Sequence, residues 1–382
     1  MNQPFEKNPS DKPLRTGLPA GQPRILVAPL DWGLGHATRC IPVIRELLNQ
    51  GIEVWLAGES AQEKLLKIEF PNLPFLSLQG YRVYYAKSGI GLLKNIFSQI
   101  PQILKAIKKE NEWLKKMADE HSFDAVISDN RYGLYHSTIP SVFITHQLTI
   151  KSSLGKWTEK ILQKRNYGFI NRFTECWVPD VDEKNNLAGE LSHSEKKPAI
   201  PLHYIGTLSR FEIKNLKEEK SHLLIVLSGP EPQRSILETK IVNEIAKFIG
   251  TAIIVRGLPG EASLIPSTNI IKFYNHLSTE KLNKEMMKAE YIISRSGYST
   301  IMDVTKLQKK SILIPTPGQT EQEYLANHLL RKQIAFCVSQ KEFSFISTLQ
   351  KAKQFSYRIP FYNNTQMLEK VISNFISSII KK

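Results

Sequence analysis

Short apolar runs alternate with segments of helical hydrophobic period along this chain, and the series occurs twice. In the first half the predicted strands lie at 24–30, 52–57, 73–78, 124–128 and 141–145. In the second half they lie at 222–228, 251–256, 269–274, 291–294, 311–315 and 335–338. Continuous apolar runs separated by helices are typical of parallel strands that are buried on both faces. The pattern therefore predicts an α/β protein with two doubly wound domains.

A polar, lysine-rich stretch at 183–198 separates the two series, and we place the hinge near 205–220. The segment 175–179 is expected to form another edge of the first sheet. The end of the chain has apolar residues at helical spacing, which favours a terminal helix packed on one domain over a membrane contact. The predicted organisation is a disordered leader at 1–23, domains at 24–207 and 208–360, and an amphipathic helix at 361–382.

Composition narrows the classes of protein. The three cysteines, Cys40, Cys176 and Cys337, are far apart and form no metal or disulfide pattern, so we expect a reducing cytoplasm. No apolar run approaches the ~20 residues that cross a bilayer. The net charge of +15 suits nucleic acid, anionic lipid or phosphorylated substrates. Because no nucleic-acid-binding motif is present, we expect no nucleic-acid partner.

The segment PLDWGLGHATR at 29–39 follows the first predicted strand and begins a helix. Gly33 and Gly35 allow a phosphate or a sugar to approach the backbone, where the helix start supplies N–H donors. A purely structural turn is the alternative, and Thr38 stands where a dinucleotide fingerprint has its third glycine. His36 lies at the C-terminal edge of the sheet, where a neutral imidazole can act as a base.

Asp129 follows the predicted strand at 124–128 and is the best partner for that histidine. An aspartate can fix the tautomer of an imidazole and stabilise its cationic form. The alternative role, a helix or turn cap, is equally common for such a residue. Because the C-terminal ends of parallel strands share one rim, we predict a catalytic dyad of His36 and Asp129.

The second half contains a hydroxyl- and glycine-rich helix start, SRSGYSTIMD at 294–303. Ser296, Gly297, Ser299 and Thr300 would bind a pyrophosphate at the helix N-terminus. Asp303 would hold a ribose through its hydroxyls. The alternative is a capping box in which the Thr300 and Asp303 side chains only cap the helix.

A second helix start follows at PTPGQTEQE, 315–323. Glu321 and Gln322 there carry hydrogen-bonding groups that can read sugar hydroxyls. They are equally well explained as first-turn residues favoured by the helix dipole.

Together, the GLGH turn, the SRSGYSTIMD loop and the PTPGQTEQEYLANHL segment resemble the GT-B glycosyltransferases over residues 24–345. The resemblance is to the MurG-like and UDP-glycosyltransferase branch, with a donor domain like that of glycosyltransferase family 28. It implies an N-terminal acceptor-binding domain and a C-terminal nucleotide-sugar-binding domain, both Rossmann-like, facing each other across a cleft. The expected reaction is inverting transfer from a nucleotide-diphosphate sugar, with UDP favoured, to a hydroxyl acceptor. Neither a metal ion nor a cofactor is expected.

The resemblance also implies roles for individual residues. His36 would be the base or orient the acceptor, with Asp129 in support, and Glu321 with Gln322 would contact the donor sugar. Asp303 takes the place of a ribose-binding glutamate, and GPEPQR replaces a glycine–serine loop. The remaining donor contacts would be Ser228, Gly229 and Arg234 near the diphosphate and Phe273 and His276 around the base.

The acceptor and the rival functions stay open. A lipid-linked acceptor or a cell-envelope glycan would fit basic, partly apolar stretches at 87–116 and 151–173, which could dock on the inner face of the cell membrane. Solvated lysine faces are the alternative. The rival functions are a GT-B-type sugar-nucleotide epimerase and a non-catalytic sugar-nucleotide-binding protein, while an oxidoreductase is disfavoured for want of a hydride-transfer site.

Overall fold

The computed structural model describes residues 22–81, 89–258, 263, 265–362 and 365–380. Within this part, the strands form two wholly parallel sheets. The first contains β1 (Arg24–Pro29), β2 (Glu53–Gly58), β3 (Phe75–Ser77), β4 (Ala125–Asp129), β5 (Ser141–Ile144), β6 (Glu175–Val178) and β7 (Leu202–Tyr204). The second contains β8 (His222–Val226), β9 (Thr251–Val255), β10 (Ile271–Tyr274), β11 (Tyr291–Ser294), β12 (Ser311–Leu313) and β13 (Phe336–Cys337).

Helices connect the strands and cover the sheets. The first domain contributes α1 (Leu34–Asn49), α2 (Ser60–Glu69), α3 (Gly89–His121) and α4 (Lys156–Ile170). The later part of the chain contributes α5 (Gln233–Ile245), α6 (Thr279–Lys288), α7 (Tyr298–Lys306), α8 (Thr320–Arg331), α9 (Phe345–Gln354) and α10 (Thr365–Ile380). None of the helices, as far as they are described, is long and apolar enough to cross a membrane.

The strand order reverses once in each sheet. The first sheet has the order β3-β2-β1-β4-β5-β6-β7 and the second the order β10-β9-β8-β11-β12-β13. Ligands of doubly wound proteins bind at the C-terminal ends of the strands beside such a reversal. In the first sheet the reversal pairs Pro29, at the end of β1, with Asp129, at the end of β4. The topology therefore brings two of the predicted site segments together.

The predicted doubly wound fold is confirmed, and every predicted strand is present with its ends shifted by two residues at most. One expectation is wrong: 175–179 is not an edge, because β7 pairs with the outer side of β6. The three-residue strand β7 has no apolar periodicity, and all three residues are half-buried. Nearly all of the predicted leader, and residues 87–100 of the predicted basic stretch 87–116, lie outside the side chains that the structure describes.

The two domains share one hydrophobic core around α1. The cluster continues from the first sheet through α1 to residues of α7 and α8 in the second domain. Helix α10 also packs on α1, so the end of the chain returns to the first domain. Phe375 of α10 is buried and meets the Trp177 ring edge-on, with centroids 5.5 Å apart. The predicted packing of the terminal helix is thus confirmed.

Candidate active site

The GLGH turn places His36 beside Asp129. Gly33 precedes α1 with a φ of 85°, a value that favours glycine. His36 lies in the first turn of α1, and its Nδ1 atom is 3.2 Å from Oδ1 of Asp129. The carboxylate is fully buried, whereas 16% of the His36 side chain is exposed. The structure brings the predicted dyad together and shows that Asp129 caps neither a helix nor a turn in the described chain.

Arg39 joins His36 and Asp129 as a third member of this cluster, and it was not among the residues predicted from the sequence. Its Nε atom donates to Oδ2 of Asp129 at 2.7 Å, and its Nη2 atom donates to Oδ1 of the same carboxylate. Nη2 also lies 2.9 Å from Nδ1 of His36. The signal was present in the sequence, because residues three apart on a helix share a face and Arg39 follows His36 at that spacing.

The contacts among His36, Asp129 and Arg39 shift the pKa values of His36 and Asp129. Burial opposes ionisation of Asp129, but the charge of Arg39 and the nearby His36 hold the pKa of its carboxyl well below the usual range. Burial, reinforced by Arg39, lowers the pKa of His36. The ring is therefore neutral at physiological pH, as a general base requires.

His146 and Gln147 extend the site toward the second domain. They follow β5, just as Asp129 ends β4, so the same rim argument would have found them. Nε2 of His146 lies 2.8 Å from Oε1 of Glu321, and the Gln147 amide donates to Oε2. The ring of His146 stacks on that of Tyr298, with centroids 4.2 Å apart. Glu321, predicted to contact the donor sugar, is thus bound to the first domain, and it also lies in the first turn of α8.

The N-terminus of α7 meets the GLGH turn directly. The hydroxyl of Ser299 donates to the carbonyl oxygen of Gly35 at 2.9 Å, and a Cβ at Gly35 would lie 3.0 Å from that hydroxyl. The close approach predicted for Gly35 is therefore made by a serine of the other domain. Helix α7 is preceded by Gly297, so Thr300 is its third residue and the capping-box alternative is wrong.

Asp303 faces the linker between the domains. Its Oδ1 atom accepts a hydrogen bond of 2.6 Å from the hydroxyl of Ser209. Burial, against the opposing charge of Arg210, raises the pKa of Asp303 to about 7. Asp303, the residue predicted to bind the ribose, lies on the expected helix. Its carboxylate, however, already accepts a hydrogen bond from the Ser209 hydroxyl of this chain.

A buried arginine lies beneath the predicted diphosphate loop. Ser228 and Gly229 follow β8 and are exposed, and Gly229 has a φ of 103°. Arg295, from the SRSG sequence, is 1% exposed, and its Nη2 atom donates to the Gln233 carbonyl oxygen at 2.6 Å. Its Nε has no hydrogen-bond partner within the described part of the chain, and burial lowers its pKa to about 10. No motif or spacing in the sequence pointed to this residue.

Arg234, which was predicted to lie near the diphosphate of the sugar donor, forms salt bridges within the second domain. Arg234 is bound by Glu231 at 2.5 Å and by Glu238 at 3.0 Å, so its charge is not free for a diphosphate. Glu238 lies four residues after Arg234 on α5, which is salt-bridge spacing on a helix, and Glu231 lies just before the helix begins.

The remaining residues that were predicted to bind the donor either form contacts within the fold or lie on the surface. Ser296 is fully buried and donates to the carbonyl oxygen of Gln322 at 2.9 Å. The side chain of Gln322 accepts from the Thr316 amide at 2.9 Å, which orders the loop before α8. Phe273 packs on the core of the second domain, while His276 is exposed.

One Asp-x-Asp sequence, the pattern that would indicate a manganese site, is present at Asp180-Val181-Asp182. The carboxylate of Asp180 is fully buried and accepts hydrogen bonds from the amides of Val181, Leu187 and Ala188 and from the Ser192 hydroxyl. Because four donors already occupy this carboxylate, Asp180 organises its loop.

Comparisons with known proteins identify similar sequences and similar folds. Residues 268–381 match the model of the glycosyltransferase family 28 C-terminal domain. The UDP-N-acetylglucosamine–N-acetylmuramyl-(pentapeptide) pyrophosphoryl-undecaprenol N-acetylglucosamine transferase of Clostridium perfringens is 29% identical over 91% of this chain and 95% of its own. The Haemophilus ducreyi protein of the same name is 24% identical over 81% of this chain and 83% of its own.

Solved structures show the same fold. The spinosyn rhamnosyltransferase SpnG superposes with a TM-score of 0.60 at 14% identity, over 93% of this chain and 96% of its own. MurG of Acinetobacter baumannii superposes with a TM-score of 0.51 at 14% identity, over 92% and 99%. The fold is thus that of the GT-B class. In sequence, the chain is similar over most of its length to these N-acetylglucosamine transferases, and residues 268–381 are similar to the family 28 C-terminal domain.

Proposed function

We propose that this protein transfers a sugar, with inversion, from a UDP-sugar to a hydroxyl group of a lipid-linked acceptor. The observation that carries the proposal is the neutral His36 ring, which lies beside Asp129 in a turn whose Gly35 contacts the N-terminus of α7. The named relatives, which are N-acetylglucosamine transferases acting on an undecaprenol-linked substrate, support the donor and acceptor classes.

The chemistry follows from these positions. The acceptor oxygen attacks the anomeric carbon as the bond to the nucleotide diphosphate breaks, through an oxocarbenium-like state. Nε2 of His36 takes the hydroxyl proton, and Asp129 stabilises the imidazolium that forms. The proposed reaction needs no metal ion. Its departing diphosphate would be stabilised by the N–H groups at the start of α7 and by the positive charge of Arg295 beneath the Ser228–Gly229 loop.

Closure of the domains fits transfer better than hydrolysis. Ser299, Tyr298 and Glu321 of the second domain already contact the first domain in this structure. A closed boundary excludes bulk water from the reacting carbon.

Acceptor-dependent release of UDP tests the proposal. The protein is incubated with UDP, dTDP and GDP sugars, with and without undecaprenyl-linked acceptors, and both the nucleotide and the glycosylated product are measured by mass. We expect UDP release and product only when donor and acceptor are both present. Conversion of the sugar without acceptor would instead indicate an epimerase, and binding without turnover would indicate a sensor.

We also propose that the surface at the start of α4 contacts anionic lipid. Leu154, Trp157 and Ile161 are exposed by 57%, 74% and 40%. Trp157 and Ile161 are four residues apart on one face of α4, and Leu154 lies in the turn just before the helix. The neighbouring Lys156, Lys160 and Lys164 are exposed as well. Apolar side chains among lysines suit the boundary between lipid headgroups and acyl chains.

Flotation with vesicles tests this surface. The wild-type protein should float with vesicles that contain an anionic lipid, less so with neutral vesicles, and the binding should weaken as salt rises. Trp157→Ser should lose most of the binding, whereas Ile249→Ser, at an apolar residue of the second domain that is 92% exposed, should not. Equal binding of both variants would overturn the proposal.

A further inference from the structure

A cavity of about 350 Å³ lies in the first domain, between the loop that follows β3 and helix α3. Gln79, Gly80 and Tyr81 of that loop line one side, and residues of α3 from Gln102 to Trp113 line the other. Volumes of roughly 300–1,000 Å³ are typical of sites for small ligands. None of the residues that we assigned to the donor or to the base is among the described residues that line this cavity.

Two lysines of α3 give the cavity its charge. Lys105 and Lys109 line it, are four residues apart on one face of the helix and are exposed. Neither forms a salt bridge within the part of the chain that the structure describes. The neighbouring Lys108 does not line the cavity and lies 3.9 Å from the carboxylate of Glu112. Two ammonium groups are therefore available to an anion at the cavity, and Lys108 offers a matched comparison.

Glu110 also lines the cavity, but the charge of its carboxylate is already balanced. Its side chain is 2% exposed, and Nε of Arg131 donates to Oε1 at 2.5 Å. Its Oε2 atom accepts hydrogen bonds of 2.7 Å from the Tyr81 hydroxyl and from the Gly133 amide. Because Arg131 compensates this buried carboxylate, Lys105 and Lys109 leave the cavity positively charged. Its charge therefore favours an anionic ligand.

The loop side of the cavity is bonded to the connection that carries His36. The Tyr81 amide donates to Oδ1 of Asp31 at 3.1 Å, and a Cβ at Gly80 would collide with the same carboxylate. Asp31 lies between β1 and α1, five residues before His36. The cavity is thus fixed beside the connection that presents the proposed base.

The helix side of the cavity packs toward α4, the helix for which we propose lipid contact. Ile107 of α3 is buried in a cluster with Leu30 and Tyr81, and Phe169 of α4 packs on this cluster. Packed side chains therefore connect the cavity both to the His36 connection and to α4. A lipid-linked acceptor has to reach the same two places, because its lipid contacts the membrane and its hydroxyl contacts the base.

We propose that this cavity binds a phosphate group of the lipid-linked acceptor, with Lys105 and Lys109 as its cationic contacts. Phosphate accepts charge-assisted hydrogen bonds from ammonium groups, which are stronger than those between neutral groups. The cavity then holds the charged junction of the acceptor while the lipid lies to one side and the reacting sugar to the other. This inference rests on the proposed transfer function.

Binding of inorganic pyrophosphate tests the site without any turnover. Trp113 lines the cavity, so the ¹⁹F resonance of 5-fluorotryptophan at this position, identified with Trp113→Phe, reports its occupancy. We expect a saturable shift of this resonance in the wild-type protein. The double variant Lys105→Gln with Lys109→Gln should raise Kd roughly tenfold or more, because both charge-assisted contacts are lost. Lys105→Arg with Lys109→Arg should keep most of the affinity, and Lys108→Gln should keep all of it.

Steady-state kinetics tests whether the bound phosphate belongs to the acceptor. The double Gln variant should raise acceptor KM by a similar factor and leave donor KM and UDP binding unchanged, whereas Lys108→Gln should change none of them. Pyrophosphate binding with an unchanged acceptor KM would assign the site to a free phosphate compound. Loss of flotation with anionic vesicles at an unchanged acceptor KM would assign it to a phospholipid headgroup. Either result would overturn the proposal.

Two results of the binding experiment would overturn it as well. One is the absence of a Trp113 shift in the wild-type protein, and the other is an equal loss of affinity in Lys108→Gln and in the double Gln variant. Failure of the transfer function would instead appear as a lack of product with every donor in the wild-type protein, while pyrophosphate still shifts the Trp113 resonance.

Discussion

The hydroxyl of Ser299 donates a hydrogen bond of 2.9 Å to the carbonyl oxygen of Gly35 and so joins the helix starts of the two domains. Glycine is needed here because a Cβ at position 35 would lie 3.0 Å from that hydroxyl. The turn that carries His36 is therefore in contact with the turn that would hold the donor diphosphate. Movement of one domain relative to the other must change both turns together.

Gly35→Ala should weaken closure, because the new methyl group displaces the Ser299 hydroxyl. We expect a higher donor KM and a stability loss on the order of 1 kcal/mol. In the double variant Gly35→Ala with Ser299→Ala the remaining Cβ contact of 3.6 Å is ordinary, so donor KM should recover in part. Gly168→Ala, inside α4 with open space around it, is the control and should leave KM unchanged. Steady-state kinetics with varied donor measures the effect.

His36→Ala should abolish most turnover and leave nucleotide binding intact. Loss of a general base costs roughly a hundredfold to ten-thousandfold in rate. The measurements are acceptor-dependent UDP release and UDP binding by calorimetry. His203→Ala, on the edge strand β7 with its ring 42% exposed, serves as the control. Turnover of His36→Ala within tenfold of wild type would remove the histidine from the role of base.

Asp303 should make the protein less stable as pH rises from about 4 to 7. The aspartate carboxyl of an unfolded chain has a pKa of about 3.9, whereas that of folded Asp303 is raised to about 7. Between these values the folded protein binds a proton that the unfolded chain releases, so the free energy of unfolding falls as pH increases.

Urea unfolding at pH 5 and pH 8 measures this dependence. Asp303→Asn should flatten it by an amount on the order of 1–2 kcal/mol, since the amide cannot ionise but still accepts from Ser209. Asp182→Asn, at a carboxyl whose side chain is 66% exposed, should leave the wild-type slope unchanged. The same slope in Asp303→Asn as in the wild type would contradict the assignment.

Phe375→Ala should destabilise the first domain although it lies near the end of the chain. Its ring is 4% exposed and packs edge-on against Trp177, so truncation leaves a cavity in the shared core. Comparable buried substitutions cost about 3–5 kcal/mol. Phe361→Ala, at a ring that is 72% exposed, should change the unfolding free energy by less than about 0.5 kcal/mol. Thermal unfolding of the two variants gives the comparison.

The sequence alone determined the order of strands and helices and the edge of each sheet at which function would lie. Apolar runs and helical periods are local signals, and the C-terminal ends of parallel strands must share one rim. That reasoning was sufficient to select His36 and Asp129 before any geometry was known. It failed for β7, where three half-buried residues carry no periodic signal.

Only the tertiary structure decided which groups meet across the two domains. His146 and Glu321 are 175 positions apart, and Ser209 reaches Asp303 over 94 positions. No local period encodes how one domain docks on the other, because that arrangement depends on the shape and burial of whole surfaces. Packing within each domain decided two further contacts, because it pairs Arg234 with Glu238 and brings Arg39 against both His36 and Asp129.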